Sequence, residues 1–209
     1  MNMKVIVIGG CGHIGSFLVP MFIKAGYEVT AISRGKSKPY SRDYAWEKVN
    51  MVVLDREKET DFAEKIAAMN ADIVVDLINF HVEDTRKMVK ALKETRLSHY
   101  LFCSSIWAHG RVKTLEADPN DYGHNKFLSE LYLKEQWRIA GFPATVIMPG
   151  QISGAGWTII NPWGNTNTKM FETIARGEKI YLPNWGMETL HHVHASDVAQ
   201  LFFKAIEHR

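Results

Sequence analysis

The chain has 209 residues, of which 46% are hydrophobic and 23% charged, with a formal net charge of +2. That balance excludes a disordered chain, and the charge is too small and too scattered to suggest nucleic acid or a membrane surface as partner. The longest N-terminal apolar run, Val5–Ile8, is far shorter than a signal h-region or a membrane span. Lys4–Ile8 is predicted as a buried strand. Ile14–Ala25 is amphipathic and stops at Gly26, a C-cap residue. Glu28–Ser33 and Val49–Leu54 read as the second and third strands, Thr60–Met69 as a helix and Asp72–Leu77 as the fourth strand. Glu83–Thr95 is a helix and Tyr100–Cys103 the fifth strand. Asp121–Ala140 is a long helix stopped by Gly141 and Pro143, and Ala144–Met148 is the sixth strand. Strands separated by helices predict right-handed crossovers and a Rossmann-like, doubly wound parallel sheet, an α/β fold.

After Pro149 the texture changes. Residues 150–168 are rich in Gly, Asn, Thr and Trp and show little periodicity. A helix at Thr168–Arg176, a short strand near Lys179–Leu182 and a final helix from Ser196 follow. A dinucleotide-binding domain is therefore expected over 1–149. A small, partial substrate-binding region is expected over 150–209, able to return a helix or strand to the main domain.

The run Val5-Ile6-Val7-Ile8-Gly9-Gly10-Cys11-Gly12-His13-Ile14-Gly15 reads as strand, tight turn and helix start. Gly9 permits the turn, Gly12 lets backbone approach a pyrophosphate, and Gly15 lets the helix pack against the strand. The N–H groups at the helix start, from His13 and Ile14 onward, suit phosphate oxygens. At the end of the second strand, Ser33-Arg34-Gly35-Lys36 offers no carboxylate for a ribose 2′-hydroxyl. Arg34 instead suits a 2′-phosphate, which favours NADP over NAD. Arg34 and Lys36 as plain solvated loop charges is the alternative.

Tyr122 and Lys126 stand four apart at the start of the long helix and share one face. A free tyrosine titrates at about 10. An adjacent ammonium is expected to lower that value and ready Tyr122 for proton exchange with a substrate hydroxyl. Lys126 also suits a nicotinamide ribose. Ser105 follows the fifth strand, at the strand ends where ligands bind in such sheets, and is placed to hold a substrate oxygen. Capping of a turn is the alternative for Ser104 and Ser105.

These residues resemble, over nearly the whole chain, the extended short-chain dehydrogenases/reductases, or NAD-dependent epimerase/dehydratases. The glycine loop matches that family's G-x-x-G-x-x-G. Asp55 matches its acidic adenine contact, and Leu77-Ile78-Asn79-Phe80 its stretch along the cofactor. Phe102–Gly110 resembles its S-S-x-x-V-Y-G element, with Ser105 on the catalytic position counted back from Gly110. Tyr122 and Lys126 fall on Y-x-x-x-K. Pro149-Gly150-Gln151-Ile152-Ser153-Gly154 resembles the turn near the nicotinamide, and His192–Ala199 the F-V-H-V-x-D-V-A element. The resemblance implies bound NAD(P) and hydride transfer at a hydroxyl-bearing carbon, often of a nucleotide-sugar. In it Tyr122 is the base, Ser105 orients substrate, and Lys126 clamps the cofactor. The cofactor-binding residues implied are Gly9, Gly12, His13, Ile14, Gly15, Ser33, Arg34, Asp55, Asn79, Tyr122, Lys126, Pro149 and Ile152.

Three departures stand out. Met148 replaces a common Arg, His109 replaces the Tyr of the Y-G pair, and the chain stops at Arg209, where members usually continue through the substrate domain. A truncated piece or a minimal member is expected. Two further readings stay open. One is an NADPH-dependent carbonyl reductase. The other is a non-catalytic NADP-sensing or RNA-associated binding protein, against which the retained Ser105, Tyr122 and Lys126 weigh. His191, His192 and His194 are not read as a metal site, because His191 faces away in an extended segment and no Cys or carboxylate completes the set. His194 is expected to bond a backbone group instead. Cys11 and Cys103 read as reduced, buried thiols. A cytoplasmic protein is expected, with a small-molecule substrate, no nucleic acid or membrane partner, and a homodimer as an option.

Overall fold

The computed structural model describes residues 2–109 and 121–208. The stretch 110–120, with Gly110 of the serine element, and the terminal Arg209 lie outside the described residues. Strands β1 (Lys4–Ile8), β2 (Glu28–Ser33), β3 (Asn50–Val53), β4 (Ile73–Asp76), β5 (His99–Cys103) and β6 (Ala144–Ile147) form one sheet in the order β3-β2-β1-β4-β5-β6. Every neighbouring pair is parallel. The chain starts in the middle of the sheet, runs to one edge, then returns and builds the other. The crevice between β1 and β4, where the order reverses, is where such sheets bind ligands.

Helices α1 (His13–Lys24), α2 (Phe62–Ala68), α3 (Val82–Leu92) and α4 (Tyr122–Ala140) supply the crossovers. In β1, Val5 and Val7 point to one face, against Leu18 and Phe22 of α1 and Phe202 of the last helix. Ile6 and Ile8 point to the other, against Ile66 of α2, Met88 of α3 and Leu133 of α4. Both faces are covered, so the central strands are near-continuous apolar runs rather than alternating ones.

Residues beyond Pro149 divide in two. The helix α5 (Lys169–Ala175) belongs to an irregular, exposed stretch, whereas α6 (Ala195–Glu207) packs on α1 and completes the core through Val198, Ala199 and Phe202. Two strands not anticipated from sequence, β7 (Gln151–Ser153) and β8 (His192–His194), pair in parallel. They are three residues each, too short to show a period. The strand expected near Lys179–Leu182 is absent: that segment is irregular and exposed, has no pairing partner, and runs into Pro183. The three histidines also differ from a ligand set. His194 takes the backbone N–H of Ser196 at 3.2 Å and caps α6, the backbone bond expected of it. Among the described residues no group of three or more His, Cys, Asp or Glu is arranged to hold a metal ion, and no helix is long and apolar enough to cross a membrane.

Candidate active site

β1 ends at Ile8, and Gly9 turns the chain with φ +85°, a backbone that disfavours other residues. A Cβ at Gly15 would stand 2.3 Å from the carbonyl oxygen of Gly10, so only glycine lets α1 seat this close to the turn. No side chain caps the first turn of α1, and no acidic residue stands in it. An uncapped N-terminus facing a glycine turn, with its partial positive charge, fits the pyrophosphate of a dinucleotide.

Two cavities flank the loop. The larger, about 370 Å³, is lined among others by Gly9, His13, Ile14 and Gly15 from the loop and by Ser105, Tyr122 and Lys126 from the far side of the sheet. Pro149 and Ile152 also line it. The smaller, about 120 Å³, lies at the end of β2 between Gly9, Gly12, Ser33 and Arg34. Lys36, Ser37 and Tyr40 also line it, with Cys11 and Ile78. Sequence reasoning weighed Lys36 only as a loop charge and missed Ser37 and Tyr40, because nothing local says which way the loop beyond Ser33 folds back. The signal for Tyr40 is tertiary: its ring stacks on His13 at 3.9 Å, and Trp157 meets that imidazole edge-on at 3.8 Å. Burial lowers the His13 pKa, opposed by a hydrogen bond to the Gly156 backbone.

Two expected residues sit elsewhere. Asp55 lines neither cavity and folds its carboxylate onto the backbone N–H of Glu57 at 3.2 Å. Asn79 is fully buried, and its side chain donates to Asp76 at 3.1 Å, beneath the cleft. Its backbone carbonyl faces the site and accepts from Lys126. Below it, Arg56 grips both oxygens of Asp76 at 2.8 Å and Tyr100 donates to the same carboxylate at 2.8 Å, a buried network that sequence reading did not find.

Tyr122 opens α4, with Asp121 capping the helix through the N–H of His124 at 2.6 Å. Tyr122 lines the cleft. Lys126, one turn on, is 1% exposed and donates to the carbonyls of Asn79 at 2.6 Å and Cys103 at 2.5 Å. Its ammonium lies 4.9 to 5.6 Å from the ring centroids of Phe102, Phe80 and Tyr122. The expected lowering of Tyr122 by Lys126 is not what the geometry produces. Burial pushes the phenol above its ordinary value, and a hydrogen bond with Ser105 pulls against that rise. Lys126 spends its charge on two carbonyls and is itself lowered by burial. The Ser105 hydroxyl lines the cleft with Tyr122 and accepts from Trp107 N–H at 3.3 Å, capping the turn at 106–108, which is the alternative considered for it. Cys103 and Cys11 are buried free thiols, and burial raises Cys103 to about 11. Phe80, Trp107 and Trp157 also line the cleft.

The model of the family described as "NAD dependent epimerase/dehydratase family" matches residues 5–209. The chain is 26% identical over 220 residues to the chloroplast stem-loop binding protein of 41 kDa b of Arabidopsis thaliana, covering 97% of this chain and 55% of that protein. It is 26% identical over 192 residues to a UDP-glucose 4-epimerase of Mycoplasma pneumoniae, covering 78% of this chain and 56% of that one. The chain thus spans just over half the length of these curated relatives. Its fold matches the UDP-N-acetylglucosamine 4-epimerase of Methanobrevibacter ruminantium in complex with UDP-N-acetylmuramic acid, with a TM-score of 0.73 at 20% identity over 99% of this chain and 73% of that one.

Proposed function

The chain belongs to the NAD dependent epimerase/dehydratase family, and from that premise we propose that it serves hydride transfer at a hydroxyl-bearing carbon of a nucleotide-sugar or similar substrate. The observation that carries the reading is the convergence of Ser105, Tyr122 and Lys126 on one cleft with the glycine loop. The dinucleotide, when bound, supplies the hydride donor or acceptor. The chain's own residues do the rest. Gly9, Gly12 and the N–H groups at His13, Ile14 and Gly15 hold the pyrophosphate. Ser105 bonds the substrate oxygen beside Tyr122, and the phenol gives its proton to that oxygen or takes one from it. Lys126, fixed by two carbonyls, presents its ammonium to the nicotinamide ribose. Pro149 and Ile152 wall the nicotinamide end, and Phe80, Trp107 and Trp157 offer ring faces to a sugar.

NADP is the preferred dinucleotide in this reading. Arg34 and Lys36 are two cations at the end of β2 with Ser33 and Ser37 beside them, and no carboxylate lines that pocket. A second reading, NADPH-dependent carbonyl reduction, draws on the same pocket and on a Tyr122 whose resting form is the proton donor.

Native mass spectrometry of the purified chain tests the cofactor, since mass gives the phosphate count. UDP-glucose and NADPH-linked ketone reduction are then assayed with the loaded protein. Sugar epimerised without net change in cofactor absorbance supports the first reading, and NADPH consumed in step with ketone supports the second. A chain that binds neither dinucleotide sinks both.

A further inference from the structure

Glu130 lies one turn beyond Lys126 and two beyond Tyr122 on the same face of α4. Its carboxylate is held at both oxygens. The Ser104 hydroxyl donates to Oε1, and His109 Nε2 bonds Oε2 at 2.6 Å. The Glu130 side chain is 13% exposed and that of His109 53%, so the carboxylate bridges a buried strand end and a half-exposed ring.

The residues on either side of Ser104 touch the reacting groups. The Cys103 carbonyl accepts from Lys126 at 2.5 Å, and the Ser105 hydroxyl lines the cleft with Tyr122 and favours its ionised form. Residues 103, 104 and 105 are therefore tied in turn to Lys126, Glu130 and Tyr122, all on one helix face. The strand register of β5 with β6 ends at Cys103, the backbone N–H groups of Ser104 and Ile106 still donate to Ile147 and Pro149, and the Ser104 side chain adds a bond to α4 beside Ser105. His109 ties the turn that follows Ser105 to the same carboxylate.

We infer that Glu130 is a positioning residue, a two-legged bracket through Ser104 and His109 that keeps the end of β5 in register with Tyr122 and Lys126. The inference rests on the reading of Ser105, Tyr122 and Lys126 as the reacting set. A bracket of merely structural value would change stability alone. A positioning bracket also changes the proton affinity of Tyr122, because the Ser105 bond opposes the effect of burial there. The groups facing that phenol are Lys126 on its own helix, the Cys103 thiol and Ser105 hydroxyl at the end of β5, and the uncharged Phe80 ring after β4. Glu130 reaches it through Ser104 and Ser105.

The test uses ligand-free protein first. Tyr122 ionisation is read by ultraviolet difference between each variant and the same variant carrying Tyr122→Phe. Glu130→Ala is expected to move that titration to higher pH and, in turnover, to lower kcat on the order of tenfold with NADPH affinity unchanged. Glu130→Gln keeps an acceptor for Ser104 and a donor for His109, and is expected to restore both. Ser104→Ala removes one leg and moves the titration the same way; it carries the test if Glu130→Ala does not fold. A Tyr122 titration that stays in place in these variants overturns the inference, whatever happens to Tm, and so does a Glu130→Gln protein as impaired as Glu130→Ala. Retained turnover in Tyr122→Phe would instead sink the reading of the reacting set, which the ligand-free titration does not depend on.

Discussion

The ammonium of Lys126 donates to the backbone carbonyl of Asn79 at 2.6 Å, so the cation that neighbours Tyr122 along α4 is anchored to the loop after β4. Helical spacing brings the two side chains to one cleft, but the carbonyls of Asn79 and Cys103 take up the ammonium. Tyr122 is left with burial as the dominant influence, and burial favours the neutral phenol.

The pH dependence follows with its sign. A phenol held above 10.0 stays protonated through neutral pH. In the carbonyl-reducing direction, which needs the protonated form, kcat should be flat across neutrality and fall only as pH rises through the raised value. In the alcohol-oxidising direction, which needs the phenolate, kcat should climb over that same alkaline range. Profiles at saturating dinucleotide check this, and a reductive limb near neutral pH would contradict it.

Tyr122→Phe removes the proton-bearing oxygen and keeps the ring beside Phe80. Turnover should fall by roughly two to four orders of magnitude, the usual contribution of a positioned acid or base. NADPH affinity, measured by fluorescence titration, should change little, since the glycine loop and the β2 pocket are untouched.

Arg34→Asp exchanges a phosphate partner for a ribose-hydroxyl partner at the end of β2. The ratio of NADPH to NADH affinity should drop by about tenfold or more, the scale of one charge-assisted hydrogen bond lost and a repulsion gained. Equal ratios in wild type and variant would mean that Arg34 is only a solvated loop charge and that Lys36 or Ser37 carries the preference.

The Rossmann sheet was readable because its signal is local. Each of the six strands carries a short apolar run, α1 and α4 carry the glycine stops Gly26 and Gly141, and β1 and β2 begin and end where the residues say they should. The placement of Ser105, Tyr122 and Lys126 on one cleft was readable because strand ends and helix spacing fix where they point. What sequence did not yield depends on contacts between distant segments. Tyr40 closes on His13 from 27 positions away and Trp157 from 144. Asn79 turns its amide under the cleft because Asp76 is there to receive it, and β7 finds β8 some forty positions away. No periodicity within one segment encodes those meetings.

The Arg56–Asp76 pair shows how such a contact is tested. Asp76 is fully buried and Arg56 supplies both of its oxygens with a donor nitrogen at 2.8 Å. Arg56→Met should leave an uncompensated carboxylate under the sheet's C-terminal edge and cost about 3–5 kcal/mol in urea denaturation. Tyr100 and Asn79 would still donate to it, which sets the lower end of that range. Adding Asp76→Leu to Arg56→Met should recover part of the loss, because the buried charge goes with its partner while the buried donors of Tyr100 and Asn79 lose their acceptor. A single variant as stable as wild type would show the pair to be dispensable.

Gly15→Ala separates the glycine loop's packing role from simple backbone freedom. The added methyl would stand 2.3 Å from the Gly10 carbonyl oxygen and 2.6 Å from that of Gly9, and both obstacles are backbone. α1 would have to back away from the turn, at a cost of about 1–3 kcal/mol. That movement carries the N–H groups of His13 and Ile14 off the pyrophosphate position, so NADPH affinity should fall along with stability. Gly26→Ala is the control. It has φ +87° but nothing within 4 Å of the added Cβ, so it should cost stability through backbone strain alone and leave NADPH affinity as it is. If both variants lose stability and neither loses affinity, the start of α1 is a structural turn and the dinucleotide is held elsewhere.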